Sequence, residues 1–414
     1  MSNTDRARPG RSRTLLAGVM IAAAGLALAG CANSTPQASP SSGSGESLET
    51  ALESMEPRTL VYSINLPDTS SVGLAVKAFK TYVEEKTDGK ITIDDQYNSA
   101  VMPAEEALAG VQSGLADIAL TSTTYYQEEL PVSNLLQNLG ADSDPSFPAG
   151  WLQALAAGTE FFSTDEAVAE EWASHDAKVL YATSPSRYSL MCTSGIQSLE
   201  DAKGRQTRAS GSIWSGEVEA MGMAPVALPI AEIYEGLQRG VVDCVSSTPD
   251  TMASLSVPEV AKHFIPVQMS TQVTGVVFMN LDVWNDLPTP VQEVIQEGAL
   301  EGMRAYTEFV ADAVAGFVEL LGDDVTVHDP AELDKAVIAR QEAVVDDFLA
   351  ETSVPDADGI VQRYRDTLED WLTVVTDDLG IAPGARDIDS TIEGYEEGGS
   401  LDLDPFFSEL NERL

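Results

Sequence analysis

The sequence predicts an α/β fold of two lobes, which hinge strands join and one long helix spans. Strand-like and helix-like segments alternate from residue 60 to residue 121, and the alternation returns with different residues from residue 179 to residue 246. Such an order indicates parallel sheets with helices on both faces, whose ligands gather at the carboxyl ends of the strands. The folded part has roughly 350 residues, which are too many for one core but suit two.

The N-terminus is typical of an exported protein. Four arginines precede the apolar stretch Leu15 to Gly30, which is shorter than the roughly 20 residues that a membrane-spanning helix needs. We therefore interpret residues 1–30 as a signal peptide. The stretch continues into Cys31 as Leu-Ala-Gly-Cys, which resembles the lipobox of bacterial lipoproteins. That resemblance implies a lipid on Cys31 that anchors the protein to the outer face of the cell membrane; the alternative is an ordinary signal peptide with a chance cysteine.

Residues 31–57 predict a flexible tether behind the lipid anchor. The stretch Ala32 to Glu46 is rich in serine, proline and glycine and has no apolar period, a composition typical of flexible chain. No later segment is long and apolar enough to span a bilayer. We therefore expect a folded body that is held near the membrane and can turn.

The first alternating unit begins near Thr59. Apolar residues alternate in its strand-like segments and lie on one face of its helical segments. In order, we predict a strand at Leu60–Leu66, a helix at Ser71–Thr87, a strand at Ile91–Tyr97, a helix from Pro103 that Gly114 ends, and a strand at Asp117–Thr121.

The second unit repeats the pattern with other residues. Its predicted strands are Val179–Thr183, Tyr188–Thr193, Thr207–Ala209, Pro225–Leu228 and Val241–Ser246, and its predicted helices are Ile213–Met221 and Glu232–Arg239.

A long helix is predicted after the second unit. Thr289-Pro-Val-Gln292 offers a capping box with proline at the first helical position. Apolar residues then keep helical spacing to Leu321, which gives about 30 residues or near 50 Å. A helix of this length can support both lobes. Amphipathic stretches at Ala331–Leu349 and Ile360–Leu379 predict further helical cover.

The hinge divides the chain into discontinuous lobes. We predict lobe 1 at residues 58–184 and about 276–345, and lobe 2 at residues 185–275 and about 346–414. The lobes would swing about the strands near Thr183 and Asn280.

The charge of the chain excludes two classes of partner. Its 23 basic and 66 acidic side chains give a net charge of −43. Phosphate groups would be repelled by such a surface, so nucleic acid and anionic lipid headgroups are not expected as ligands.

The sequence contains no motif that indicates a catalytic site. The three histidines are scattered without the spacing of a zinc site, and no phosphate-binding loop, serine-nucleophile motif or dinucleotide fingerprint is present. We therefore predict a protein that is not an enzyme and binds no metal or cofactor. Cys192 and Cys244 either pair, as an exported chain permits, or remain buried free thiols.

An arginine stands out within this acidic chain. The stretch GRQTRASGSIW, Gly204 to Trp214, places Arg208 between a short strand and a Gly/Ser loop. A guanidinium at a strand end can grip a carboxylate through two parallel hydrogen bonds, which lysine cannot imitate. The alternative is an ion pair with one of the protein's own acids.

Five sequence motifs, in order, resemble those of the solute-binding subunits of tripartite ATP-independent periplasmic (TRAP) transporters. The resemblance covers about Leu60 to Leu321. The motifs are Glu84-Glu-Lys-Thr-Asp-Gly-Lys90, Val111-Gln-Ser-Gly-Leu-Ala-Asp117, Leu199-Glu-Asp-Ala-Lys-Gly-Arg-Gln-Thr-Arg208, Ile233-Tyr-Glu-Gly-Leu-Gln-Arg-Gly-Val-Val-Asp243 and Asn280-Leu-Asp-Val-Trp-Asn-Asp-Leu-Pro288.

The resemblance implies a two-lobed periplasmic-binding-protein-like fold that closes on an organic acid and delivers it to the membrane permease subunits of a TRAP transporter. It implies that Arg208 forms a salt bridge with the ligand carboxylate, that Arg187 assists, and that Asn280 donates a hydrogen bond to the same carboxylate. Trp214 matches an aromatic wall, although a core position suits it equally, and Tyr188 offers further apolar contact. We expect a monomer.

One segment departs from the family pattern. After the aspartate of the fourth motif, where the family tends to have a glycine and a Gln-Glu-Asn type of sequence, this chain reads Cys244-Val-Ser-Ser-Thr248. The groups that face the far end of the ligand therefore differ, and the sequence does not identify the acid. The alternative function is a sensor that presents its liganded state to a signalling partner.

Overall fold

The computed structural model describes residues 47–271, 275–322, 324–385 and 387–414. The predicted signal peptide, Cys31 and most of the predicted tether lie outside the described residues. Within the described part of the chain, no helix is long and apolar enough to cross a membrane.

The first lobe consists of a mixed sheet covered by helices. Its elements are α1 (Leu48–Ser54), β1 (Arg58–Ser63), α2 (Ser71–Lys86), β2 (Ile91–Gln96), α3 (Ala107–Gln112), β3 (Ile118–Thr121), α4 (Pro131–Gln137), α5 (Ala149–Thr164), α6 (Glu166–Ala173) and β4 (Ala177–Thr183).

The second lobe contains a second sheet. Its elements are β5 (Ser189–Cys192), α7 (Leu199–Ala202), β6 (Gln206–Arg208), α8 (Ser212–Ala220), β7 (Ala224–Val226), α9 (Ile233–Gln238), β8 (Cys244–Ser247), α10 (Pro249–Ser254), α11 (Val257–Val260) and β9 (His263–Ile265).

The chain then returns to the first sheet and ends in helices. The remaining elements are β10 (Gly275–Asn280), α12 (Leu281–Asn285), α13 (Thr289–Val318), β11 (Thr326–Val327), α14 (Ala331–Glu351), α15 (Ala357–Thr373), α16 (Ile388–Gly398) and α17 (Asp404–Arg413). The strand order is β2-β1-β3-β10-β4 in the first sheet and β11-β9-β5-β8-β6-β7 in the second.

Each sheet contains the same β-α-β-α-β unit, β1 to β3 in the first lobe and β6 to β8 in the second. Its first strand pairs in parallel with both others, as the strand–helix alternation predicted. An aspartate before the third strand of each unit accepts a backbone N–H of the first strand, Asp117 from Val61 at 2.8 Å and Asp243 from Gln206 at 2.9 Å. These contacts fix the register, in which Arg208 occupies the place that Ser63 has in the first lobe.

The long helix α13 is confirmed with 30 residues. It packs along α2 of the first lobe and against α10 of the second. Buried apolar residues such as Val291, Ile295, Met303 and Val314 lie along it, because the predicted apolar spacing places them on one helical face.

The C-terminal assignment of the lobes differs from the predicted boundaries. Strand β11 pairs with β9 of the second sheet, and α14 packs on α8, although both precede residue 346 or span it. Helices α15, α16 and α17 pack on α5 or α13 instead of on the second lobe. Amphipathic periodicity shows that a helix has an apolar face, but it does not say which lobe covers that face.

The chain leaves β4 and enters β10 at the same end of the first sheet, and we expect the hinge there. The first crossing runs from Thr183, the last residue of β4, to β5, near the predicted position. Gly275 pairs with Thr183, so the return crossing enters β10 at this end, and Asn280 ends the strand at the opposite edge of the sheet. Asn280 is therefore one strand length away from these crossings, and the predicted hinge position shifts to the Gly275 end of β10.

The structure contains a disulfide between Cys192 and Cys244. The two cysteines face each other directly across β5 and β8, with sulfur atoms 2.08 Å apart. Of the two alternatives that the sequence left open, the structure has the paired one.

Candidate functional site

Arg208 is a buried cation at the carboxyl end of β6. Its side chain is 5 % exposed, because β6 lies between β7 and β8 in the sheet. The guanidinium donates from Nε to the Leu228 carbonyl oxygen at 3.1 Å and from Nη1 to that of Ser246 at 3.3 Å. These two bonds use two of its five N–H groups.

No carboxylate compensates this charge within the part of the chain that the structure describes. None of the ion pairs there involves Arg208. Burial lowers the pKa of the guanidinium, and the nearby Tyr188 and Tyr125 raise it in part. An arginine stays protonated in proteins, so the site holds a desolvated positive charge with donors to spare.

Two aromatic side chains form the wall beside Arg208. The Tyr188 and Trp214 rings stack with centroids 4.0 Å apart and planes at 23°. Trp214 is 2 % exposed and donates from Nε1 to the Ser270 carbonyl oxygen at 2.9 Å. Tyr188 is half-buried, so its ring is the accessible one of the pair, and the buried Trp214 stacks against it.

The turn after β3 brings the first lobe next to this wall. Tyr125 in that turn is 49 % exposed. Gly211, which precedes α8 with φ of +141°, approaches the same turn: a Cβ atom there would lie 3.8 Å from Thr124 Cγ2 and 3.7 Å from Trp214 Cε3. The positive φ favours glycine at this position, and a Cβ atom there would make only ordinary van der Waals contacts.

An open cavity of about 320 Å³ adjoins Gly211. It lies between the two lobes, with Thr124 and Asn134 on one side, Gly211 and Ser212 on the other, and Thr352 after α14. Arg208 does not line it. The cavity is thus beside the arginine and its aromatic wall, on the same boundary between lobes.

Asp250 is a further buried ionisable residue at this boundary, and no sequence motif distinguishes it among the 66 acidic residues. It lies in α10, directly after β8, and is 8 % exposed. Its carboxylate accepts hydrogen bonds from Ser186 Oγ at 3.3 Å and Thr251 Oγ1 at 3.4 Å. Burial raises the pKa of this carboxyl, and hydrogen bonds from the Thr248 and Ser186 hydroxyls and from the Asp250 and Thr251 N–H groups lower it in part.

Arg187 belongs to a different hydrogen-bond network from Arg208. Its Nη1 donates to the Met269 carbonyl oxygen at 3.1 Å, and its Nη2 to that of Ser143 at 2.9 Å. Successive residues of an extended segment point to opposite faces, so Tyr188 at the cleft sends Arg187 to the other side. There it links segments of the two lobes, and its contact with the ligand stays a prediction.

Asn280 also has a structural role. Its Oδ1 accepts the Val283 N–H at 2.9 Å and caps α12, and its Nδ2 donates to the Val111 carbonyl oxygen at 2.8 Å. It lies at the end of β10 that is remote from the hinge. The structure therefore brings together Arg208, Tyr188 and Trp214 of the predicted set, and leaves out Arg187 and Asn280.

Comparison with known proteins agrees with this architecture. Residues 62–351 match the family described as "Bacterial extracellular solute-binding protein, family 7". A C4-dicarboxylate-binding periplasmic protein of Rhodobacter capsulatus is 23 % identical over 261 residues, which are 59 % of this chain and 72 % of the relative.

Solved structures show the same fold. A Bordetella pertussis extracytoplasmic solute receptor that binds pyroglutamic acid superimposes with a TM-score of 0.64 at 20 % identity, over 74 % of this chain and 99 % of the receptor. The periplasmic ectoine-binding protein of a Halomonas elongata TRAP transporter also gives 0.64, at 19 % identity, over 76 % of this chain and 100 % of that protein.

Proposed function

Because this chain belongs to family 7 of the bacterial extracellular solute-binding proteins, we propose that it captures a small organic acid between its lobes and delivers it to the permease of a TRAP transporter. One observation carries the choice of ligand: Arg208 is buried at the carboxyl end of a strand, and no carboxylate of the described residues neutralises it. An anionic ligand supplies the missing partner.

The energetics require more than the arginine. A hydrogen bond to a charged group contributes about 1.5 to 3 kcal/mol, whereas micromolar affinity needs roughly 8 kcal/mol. Two parallel hydrogen bonds from the guanidinium therefore leave a large share of the binding free energy to other contacts. The ring of Tyr188 offers apolar area, and closure of the lobes strengthens the ion pair by excluding water.

The relatives support an acid as the ligand and transport as the role. One is named for C4-dicarboxylates, and the similar structures bind pyroglutamic acid and ectoine. None of these proteins is described as a sensor, so the alternative of a signalling receptor has no support among them.

The route to the membrane belongs to the same proposal. A signal peptide at residues 1–30, a lipid on Cys31 and the flexible tether to residue 57 would hold a monomeric receptor at the outer face of the cell membrane. Gel electrophoresis after labelling with a radioactive fatty acid tests the lipid, since Cys31→Ser removes the acceptor.

Calorimetry with Arg208 variants tests the binding site. We expect a panel of organic acids to yield at least one ligand of the unaltered protein, and Arg208→Ala to weaken it by 100-fold or more. Arg208→Lys should recover only part of the affinity, because lysine lacks the planar fork. Arg205→Ala is the matched control, since Arg205 is only half-buried and donates to the Asp201 carbonyl oxygen at 3.2 Å. If Arg208→Ala and the unaltered protein bind the acid with equal affinity, Arg208 is not part of the binding site.

A further inference from the structure

Two buried side chains of opposite charge lie at the boundary between the lobes without neutralising each other. Arg208 is 5 % and Asp250 is 8 % exposed. Neither takes part in any ion pair within the described ranges of the chain. Burial of an unpaired charge is costly, so buried charges are normally paired.

The second lobe contains a buried carboxylate, Glu217, whose hydrogen bonds are satisfied. Glu217 is 1 % exposed, but its carboxylate accepts Ser270 Oγ at 2.6 Å, Gln341 Nε2 at 2.9 Å and the Ser270 N–H at 3.1 Å. Asp250 accepts from the Ser186 and Thr251 hydroxyls at 3.3 and 3.4 Å, whereas O–H to carboxylate bonds are usually about 2.5 to 2.7 Å. Asp250 is therefore held by longer contacts than Glu217, and a cationic N–H of a ligand would be a stronger donor than these hydroxyls.

Arg208 and Asp250 both lie near the carboxyl end of β8. The Arg208 guanidinium donates to the Ser246 carbonyl oxygen, and Asp250 follows four residues later, after the end of β8. Burial raises the pKa of Tyr188, Arg208 lowers it in part, and Asp250 raises it again, so both charges act on this one hydroxyl. Arg208 at the end of β6 and Asp250 in α10 after β8 thus follow the carboxyl ends of two strands that pair in parallel.

We propose that the ligand is a zwitterion, whose carboxylate meets Arg208 and whose ammonium or amidinium N–H meets Asp250. The inference rests on the proposed function and specifies its substrate class. A plain acid would satisfy Arg208 but leave the Asp250 carboxylate unpaired beside a second anion. A zwitterion neutralises both buried charges and brings no net charge into the closed cleft.

Thermal shift and calorimetry on matched probes test the inference. The probes are ectoine and proline as zwitterions, and cyclopentanecarboxylate and galacturonate as acids without a cationic nitrogen. We expect at least one zwitterion to raise the Tm and to bind at least tenfold tighter than cyclopentanecarboxylate. A shift with the acids but with neither zwitterion, or with none of the probes, overturns the inference.

The variant Asp250→Asn separates this inference from the proposed function. It should lower the affinity for the zwitterion at least tenfold. The Tm of the ligand-free protein should stay unchanged or rise, since a buried unpaired charge is removed. Glu217→Gln is the matched control and should lower that Tm, because Glu217 has short contacts to lose. If Asp250→Asn leaves the affinity for the zwitterion unchanged while Arg208→Ala abolishes binding, the zwitterion inference is wrong but the proposed organic-acid receptor stands. If binding survives both substitutions, the zwitterion inference and the proposed function are both contradicted.

Discussion

The two lobes contain the same β-α-β-α-β unit, yet only one of them ends its first strand in a charge. At corresponding register positions the first lobe has Ser63, 3 % exposed, and the second has Arg208, 5 % exposed. Backbone geometry is thus common to both units, and a single side chain makes the difference in chemistry. The fold supplies the position at a strand end, and the residue that occupies it supplies the binding site.

The lobes also differ in what stabilises them. The first is covered by α5, α13 and the C-terminal helices α15 to α17. The second has shorter strands, of three or four residues in β5, β6, β7 and β8, and it holds the disulfide between Cys192 and Cys244. A small lobe with less buried surface depends more on a covalent link.

Among the variants that test this difference between the lobes, removal of the disulfide should have the largest effect on stability. The cysteines are 52 residues apart, and for a loop of that length the chain-entropy relation gives about 4 kcal/mol of stabilisation. The double variant Cys192→Ala, Cys244→Ala should lose that amount in urea unfolding, with amide protection falling in β5 and β8 before β1 and β3. The unaltered protein treated with dithiothreitol is the control. A double variant as stable as the oxidised protein would mean that packing alone holds the second lobe.

The paired aspartates allow the two units to be compared position by position. Asp117→Ala removes the acceptor of the Val61 N–H in a partly buried place, and we expect a loss of about 2 kcal/mol in the free energy of unfolding. Asp243→Ala removes the acceptor of the Gln206 N–H, which is exposed, so water replaces it and the loss should be below about 1 kcal/mol. Urea denaturation of both variants measures the difference. Equal losses would show that burial does not distinguish the two contacts.

Much of the fold could be predicted from the sequence, because alternation of strands and helices leaves a strong periodic signal. Arg208 could be selected from the sequence because it is an arginine at the end of a short predicted strand in an acidic chain. Arg187 and Asn280 were assigned through the family resemblance, and the structure gives them other partners, because the face of an extended segment and the direction of β10 depend on tertiary pairing. Asp250 escaped notice since its burial, and not its residue type, distinguishes it from the other acids.

The smallest effects are expected at the turns that precede the third strand of each unit. Leu115 is 54 % exposed and Val241 is 52 % exposed, and they stand two residues before Asp117 and Asp243. Their equivalence predicts that Leu115→Ser and Val241→Ser each change the free energy of unfolding by less than about 0.5 kcal/mol, as surface substitutions away from packed features do. Urea denaturation of the two single variants measures this. Because both side chains remain in water in the folded chain, a loss above about 1 kcal/mol in only one of them would show that the two turns are not equivalent, and the correspondence between the lobes would then end at the paired aspartates.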